Sequence, residues 1–121
     1  ELNEACKRGV KIAIVHFGEP SISIGQIFSH PIKNTIYNEK QGRCFVVIGD
    51  SREVLMGTVF GNATVEGAYS NNSGFIMMAE DYIKHDIYIM KIVRRYDKEL
   101  LAAYGENYKE LRNIFHDREV Q

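Results

Sequence analysis

The sequence predicts a mainly β fold, with several small β-sheets, long irregular connections and a short C-terminal helix. About six short runs are rich in β-branched and aromatic residues, and segments dense in Gly, Asn and Pro separate them. Helical periodicity is clear only near the C-terminus. A length of 121 residues corresponds to a single domain, residues 1–121. A fragment of a longer protein is also expected, because no initiator Met is present.

The first half of the chain carries three of the predicted strands. Residues 1–9 are polar and form one helical turn, and residues 10–15 make a first strand. Residues 21–28 alternate polar and apolar side chains, as expected of a strand with one wet face. Residues 29–43 are a long connection. The unbroken apolar run 44–48 predicts a strand that is buried on both faces.

The second half contains the remaining strands and the helix. Residues 54–56 continue the β character, and residues 57–74 hold so many Gly and Asn residues that we expect irregular structure. Residues 75–78 form a short predicted strand, and residues 85–93 form the strongest one. A final helix over residues 107–115 presents one apolar face.

The composition excludes several classes of function. With 15 basic and 16 acidic residues, the chain has no strong field to attract nucleic acid or a membrane surface. The apolar runs are far shorter than the roughly 20 residues that span a bilayer, so we expect a soluble, intracellular protein of the nucleus or cytoplasm. Cys6, Cys44 and the four His residues lack the spacing of metal ligands, and no metal site is predicted.

One stretch, residues 97–108, has an order that suggests chemistry. Residues 98–103 are good helix formers, and Gly105 can take the positive φ that ends an element. By these physical criteria Tyr104 is an aromatic side chain next to a glycine that ends a helix or strand. A purely structural role for Tyr104 is therefore one open interpretation.

The pattern Glu99-Leu100-x-x-x-Tyr104-Gly105-x-x-Tyr108 resembles the C-terminal signature of SET-domain lysine methyltransferases. Residues 8–19 are similar to an early strand of that family, in which a glycine opens the run and an aromatic-x-Gly-Glu type of ending closes it. Residues 57–75 stand where the family places its asparagine-containing segment. This resemblance implies a SET-like β-clip fold and methyl transfer from S-adenosylmethionine to a lysine of a histone or another protein. It also implies site residues, namely Tyr104 as the catalytic residue, Phe60, Gly61, Asn62 and Tyr108 at the cofactor, and Phe17 and Asn72 at the substrate.

Two further hypotheses belong to other classes of protein. Ala63 follows Asn62 where the family typically has histidine, and the strand that normally precedes the early strand is missing. Both departures favour an inactive SET-derived module that serves as a protein-interaction domain. A third hypothesis is an unrelated β-rich binding protein, in which asparagines among glycines simply tolerate left-handed backbone geometry.

Overall fold

The structure is a computed structural model that describes residues 1–31 and 41–115. Its elements in chain order are α1 (Leu2–Lys7), β1 (Ala13–His16), β2 (Gln26–Ser29), β3 (Gly42–Gly49), β4 (Glu53–Phe60), β5 (Val65–Ser70), α2 (Ser73–Tyr104), a 3-10 turn (Glu106–Tyr108) and α3 (Lys109–Arg112). The chain divides into two compact units. The sheet unit is Asn34–Asp86, and the terminal unit combines Glu1–Lys33 with Ile87–Gln121.

The sheet unit is built on an antiparallel sheet in the order β3-β4-β5. β3 and β4 are joined by a tight turn in which the Arg52 N–H donates to the Gly49 carbonyl over 2.9 Å. Asp50 and Ser51, at the centre of this turn, have φ values of 49° and 55°. Asp tolerates this left-handed region better than most residues, which helps to explain the turn's position.

The core of the sheet unit lies between one face of the sheet and the start of α2. Val54 of β4 is 1% exposed and clusters with Ile76 and Ala79 of α2. Partly buried apolar residues of the strands pack against this cluster, namely Val46, Ile48 and Met56. These strand residues have even numbers, so they share one face of the sheet. We call it the inner face.

Hydrogen bonds fix the start of α2 and join it to the sheet. The Asn72 side-chain oxygen accepts from the backbone N–H groups of Gly74 and Phe75, over 2.9 and 3.3 Å. Asn72 is therefore the N-cap of α2. One turn further along the helix, the Glu80 carboxylate accepts from the Ser51 hydroxyl. That bond, with a weaker contribution from Lys84, lowers the pKa of Glu80 and ties the β3–β4 turn to the helix.

The terminal unit contains a two-stranded parallel sheet and the second half of α2. β1 pairs with β2 in a register that sets Ile14 opposite Ile27. The helix departs from helical geometry at Tyr96 (φ −123°, ψ 28°) and ends where Gly105 takes a φ of 76°. Lys91 places its ammonium group 5.8 Å from the centre of the Phe28 ring.

The helix α2 contradicts two predicted strands. Residues 75–78 and 85–93 are helical, so the chain is a mixture of helix and sheet rather than plainly mainly β. The alternation of apolar residues in these runs suggested a period of two. Burial instead follows the period of a helix, with buried residues three apart at Ile76 and Ala79 and again at Met90 and Val93. Of the predicted architecture, small sheets are present, two of them within the described residues, and a short helix lies near the C-terminus.

The prediction of irregular structure over residues 57–74 is also wrong, because most of this segment is strand. Gly57 and Gly67 are directly paired in the register of β4 and β5. A side-chain carbon at Gly57 would lie 2.5 Å from the Phe45 ring, and one at Gly67 would lie 2.8 Å from the Met56 carbonyl oxygen. These glycines therefore serve close packing within strands and not turns.

The structure differs from the prediction in two further respects, the burial of one strand and the length of the last helix. The strand over residues 44–48 has only one buried face, since Phe45 and Val47 are exposed. The helix over residues 107–115 is reduced to a 3-10 turn and the four residues Lys109–Arg112. Most of the predicted connection 29–43, and residues 116–121, lie outside the described residues.

Candidate functional site

Six large apolar side chains are exposed together on the face of the sheet opposite the core. They alternate with the buried and partly buried residues along β3 and β4, and the register places the β5 residues on the same face, so they point away from the start of α2. Their exposed fractions range from 37% to 63%. We call this surface the outer face, and its apolar residues are Phe45, Val47, Leu55, Val59, Val65 and Tyr69.

The strand register arranges the outer face in rows that cross the sheet. Four such rows follow one another along the strands, and charged residues occupy only the first and the last. In order they are Arg43-Val59-Val65, Phe45-Gly57-Gly67, Val47-Leu55-Tyr69 and Gly49-Glu53. The centre of the face is therefore apolar, with a cation at one end and an anion at the other.

The two glycines at the centre of the outer face have different surroundings. The Phe45 ring lies over Gly57, within 2.5 to 2.7 Å of where its side-chain carbon would be. The three nearest atoms at Gly67 all belong to the backbone of Met56 and Gly57. A side-chain carbon at Gly67 would therefore collide with the sheet backbone, so glycine is required at this position.

One hydrogen bond fixes a polar group at the edge of the outer face. The Tyr69 hydroxyl donates to a Glu53 carboxylate oxygen over 2.9 Å. This bond, together with the negative charge of Glu53, raises the pKa of Tyr69 above its ordinary value. The hydroxyl is therefore protonated at neutral pH and acts as a hydrogen-bond donor, not as a base.

A second feature is an open depression of about 470 Å³ at the β4–β5 turn. Three of the predicted cofactor residues, Phe60, Gly61 and Asn62, are among those that line it, with Gln41, Thr64 and Glu66. The Asn62 side-chain oxygen accepts from the Thr64 N–H over 3.1 Å and from its hydroxyl over 2.6 Å. Asn62 thus has a defined local role, which is to hold the turn.

The other predicted site residues have separate structural roles. Tyr104 is the last residue of α2 and is half-buried, and Asn72 caps the start of that helix. The Phe17 ring stacks on His30 with centroids 4.1 Å apart. Asn72, expected at the substrate, thus has a structural role at the start of a helix.

Tyr108, the fourth predicted cofactor residue, is buried in the terminal unit. Its hydroxyl donates to the Asp97 carboxylate. Burial, followed by the hydrogen bond and charge of Asp97, raises the pKa of Tyr108 to about 12. Tyr108 is thus used to anchor the segment after α2 to the helix itself.

Within residues 1–31 and 41–115, no three His, Cys, Asp or Glu side chains are grouped so that they could hold a metal ion. In the same part of the chain, no helix combines the length and the apolarity that a bilayer crossing requires.

Sequence reasoning missed the outer face because the apolar run 44–48 was assigned two buried faces. A signal was present in the next strands, where Leu55, Val59, Val65 and Tyr69 recur at even spacings. Those residues fall on the same side of a sheet only if residues 57–70 are strands, which their glycine content obscured.

Comparison with known proteins gives one informative similarity. The chain is 30% identical over 115 residues to the uncharacterized protein YrhO of Bacillus subtilis (strain 168). The match includes 95% of this chain but 42% of YrhO, so the chain spans about two-fifths of the length of that relative. No protein-family model and no solved structure matches the chain.

Proposed function

We propose that this chain is a protein-interaction domain whose contact surface is the outer face of the sheet. The observation that carries the proposal is the set of six exposed apolar side chains that the strand register places side by side. A folded sheet usually covers such a face, because burying apolar surface is favourable. Here the face is fully formed and exposed.

The size and composition of the outer face support this function. Six side chains of this exposure present on the order of 500 Å² of apolar surface, comparable to the largest patch of a typical monomer, which is often functional. Interfaces between proteins concentrate aromatic and aliphatic residues at the centre and place charges at the rim. Phe45 and Tyr69 lie among the central rows, while Arg43 and Glu53 lie at the two ends.

The proposal is tested by affinity capture with the tagged chain and identification of the bound proteins by mass spectrometry. Leu55→Lys places a charge in the middle of the outer face at a position that is already 43% exposed, so the core is left intact. Met77→Lys is the matched control, since Met77 is exposed on α2. Loss of bound proteins in Leu55→Lys alone is the expected result. Identical sets of bound proteins for wild type and both variants would contradict the proposal.

Methyl transfer from S-adenosylmethionine is the second candidate, supported by the depression that Phe60, Gly61 and Asn62 share. The cofactor would supply an electrophilic methyl group on a sulfonium. The described geometry suits it poorly, because the depression is open and the Asn62 oxygen already accepts from Thr64. The Asn62 amide group and the Glu66 carboxylate would be the polar contacts left for a ligand.

Calorimetric titration with S-adenosylhomocysteine tests this second candidate. If Asn62 contacts the ligand, wild type binds and Asn62→Ala loses roughly 1–3 kcal/mol of affinity, the scale of a lost polar contact in a site. Tyr104→Phe should then lower methyl transfer to lysine peptides without changing thermal stability. An absence of binding heat with the wild-type chain would remove this candidate.

A further inference from the structure

We infer that the outer face binds a second copy of this chain, with the two sheets face to face and their strands antiparallel. The inference rests on the proposed function and names the partner of that same surface. It follows from three properties of the outer face: its area, the positions of its two glycines, and the placement of its charges.

The area of the outer face matches what a stable dimer requires. A standard interface buries about 800 Å² on each partner, and homodimer interfaces are about 65% apolar. The six apolar side chains supply on the order of 500 Å², close to that apolar share. The flanking residues of the end rows, Arg43 and Glu53, add polar surface at the rim.

The rows of the outer face are self-complementary about one particular axis. A two-fold axis that lies between the sheets, perpendicular to the strands and midway between the second and third rows, exchanges these two rows. Tyr69 of one copy then faces Gly67 of the other, a position without a side chain. Leu55 of one copy faces Gly57 and the Phe45 ring that covers it. The Tyr69 ring thus meets a position without a side chain, and Leu55 meets the face of an aromatic ring, contacts that face-to-face packing of two sheets can accommodate.

The charges of the end rows favour the same axis. The exchange that pairs the second and third rows also pairs the first with the fourth, so the Arg43 end of one copy meets the Glu53 end of the other. A two-fold axis parallel to the strands would instead place the two Arg43 ends together. Opposite charges at both rims stabilise the antiparallel arrangement and disfavour the parallel one. The net charge of −1 opposes self-association only weakly.

Sedimentation equilibrium of the purified chain over a hundredfold range of concentration tests the inference. Wild type is expected to be a dimer, and Leu55→Lys is expected to weaken dimerisation at least tenfold. The control is Ile92→Lys, which alters an exposed apolar residue of α2. A wild-type chain that is monomeric throughout, or a dimer that Ile92→Lys disrupts and Leu55→Lys does not, would overturn the inference.

Charge reversal tests the antiparallel arrangement separately. Arg43→Glu and Glu53→Arg each place like charges at both rims and should weaken the dimer several-fold. The double variant restores opposite charges and should dimerise more tightly than Glu53→Arg, which lacks the same Tyr69 hydrogen bond. Circular dichroism of each variant confirms folding. Equal weakening in the double variant would rule out the antiparallel packing.

The outcomes separate this inference from the proposed function. If the wild-type chain is monomeric and Leu55→Lys still loses other bound proteins, the partner of the outer face is not a second copy. The proposed interaction domain then stands. If the wild-type chain is monomeric and Leu55→Lys captures the same proteins, both the inference and the proposed function are wrong.

Discussion

At the scale of single residues, the hydroxyl group of Tyr108 constrains the conformation of a buried residue. Asn107 and Tyr108 both have positive φ, at 55° and 54°, a conformation that is uncommon for tyrosine. The buried ring and the hydrogen bond to Asp97 hold this conformation in place. The hydrogen bond to Asp97 therefore contributes to stability only while the Tyr108 hydroxyl carries a proton.

We expect the stability of the chain to fall at high pH through Tyr108. Its pKa is about 12 in the folded chain, against the ordinary tyrosine value of 10.0. Because the folded value is the higher one, this contribution is complete below pH 10 and is lost as the pH rises to 12. The loss is roughly 2–3 kcal/mol.

Urea unfolding of wild type and Tyr108→Phe between pH 8 and 12 measures this loss. The difference in unfolding free energy between the two proteins should change over the upper half of that range. Tyr96→Phe, at an exposed tyrosine of α2, serves as the control and should follow wild type. A pH dependence that Tyr108→Phe leaves unchanged would show that other groups cause it.

The N-cap of α2 gives a second prediction. Asn72→Ala removes the oxygen that accepts from Gly74 and Phe75, and should destabilise the chain by about 1 kcal/mol. Asn71→Ala, one residue earlier, is the matched control and should have an effect below about 0.5 kcal/mol. Chemical denaturation of the three proteins measures both values. An equal effect of the two substitutions would argue against capping by Asn72.

The asparagines also show what the sequence can and cannot tell about a site. Asn62 and Asn72 were assigned to ligands, yet their side-chain oxygens accept from nearby backbone N–H groups. An amide binds backbone and ligand with the same chemistry, so residue type alone does not separate the two roles. Gly105, in contrast, was predicted to end an element through positive φ, and this is confirmed.

At the scale of elements, the contact between β4 and α2 holds the sheet unit together. Val54→Ala should lower the unfolding free energy by roughly 1.5–3 kcal/mol, because it leaves a cavity beside Ile76 and Ala79. Met77→Ala, on the exposed side of α2, should change it by less than about 0.5 kcal/mol. Guanidinium denaturation of both variants provides the comparison. Similar effects would show that the inner face is not the main core.

The elements that the sequence predicted well are those whose pattern is local. Strands were expected near β1, β2, β3 and β4, and each is present. The helix α2 was missed because the run Ile87-Tyr88-Ile89-Met90 satisfies a strand as well as a helix. The pattern of buried residues distinguishes a helix from a strand, and that pattern depends on the rest of the molecule. The cap at Asn72, followed by apolar residues at helical spacing, was the available signal.

At the scale of the whole molecule, self-association through the outer face would couple stability to concentration. A dimer is stabilised by mass action, so its melting temperature should rise with total protein concentration. Differential scanning fluorimetry from low to high micromolar concentration measures this shift. The melting temperature of Leu55→Lys should rise less over the same range, because its dimer is weaker. A wild-type melting temperature that does not vary with concentration would contradict dimerisation.

The division of the chain into a continuous and a discontinuous unit bears on the order in which it folds. The sheet unit is one uninterrupted segment joined by short turns, whereas the terminal unit must bring together residues from both ends of the chain. Local contacts close faster, because less chain entropy is lost before they form. Within the units, only residues 50–52 separate β3 from β4, whereas residues 17–25 separate β1 from β2. In pulsed hydrogen exchange during refolding, amides of β3 and β4 should therefore gain protection before those of β1 and β2. Protection of β1 and β2 first would contradict this order. If the expected order holds, the nascent chain would display its apolar sheet surface while the remaining residues were still being added.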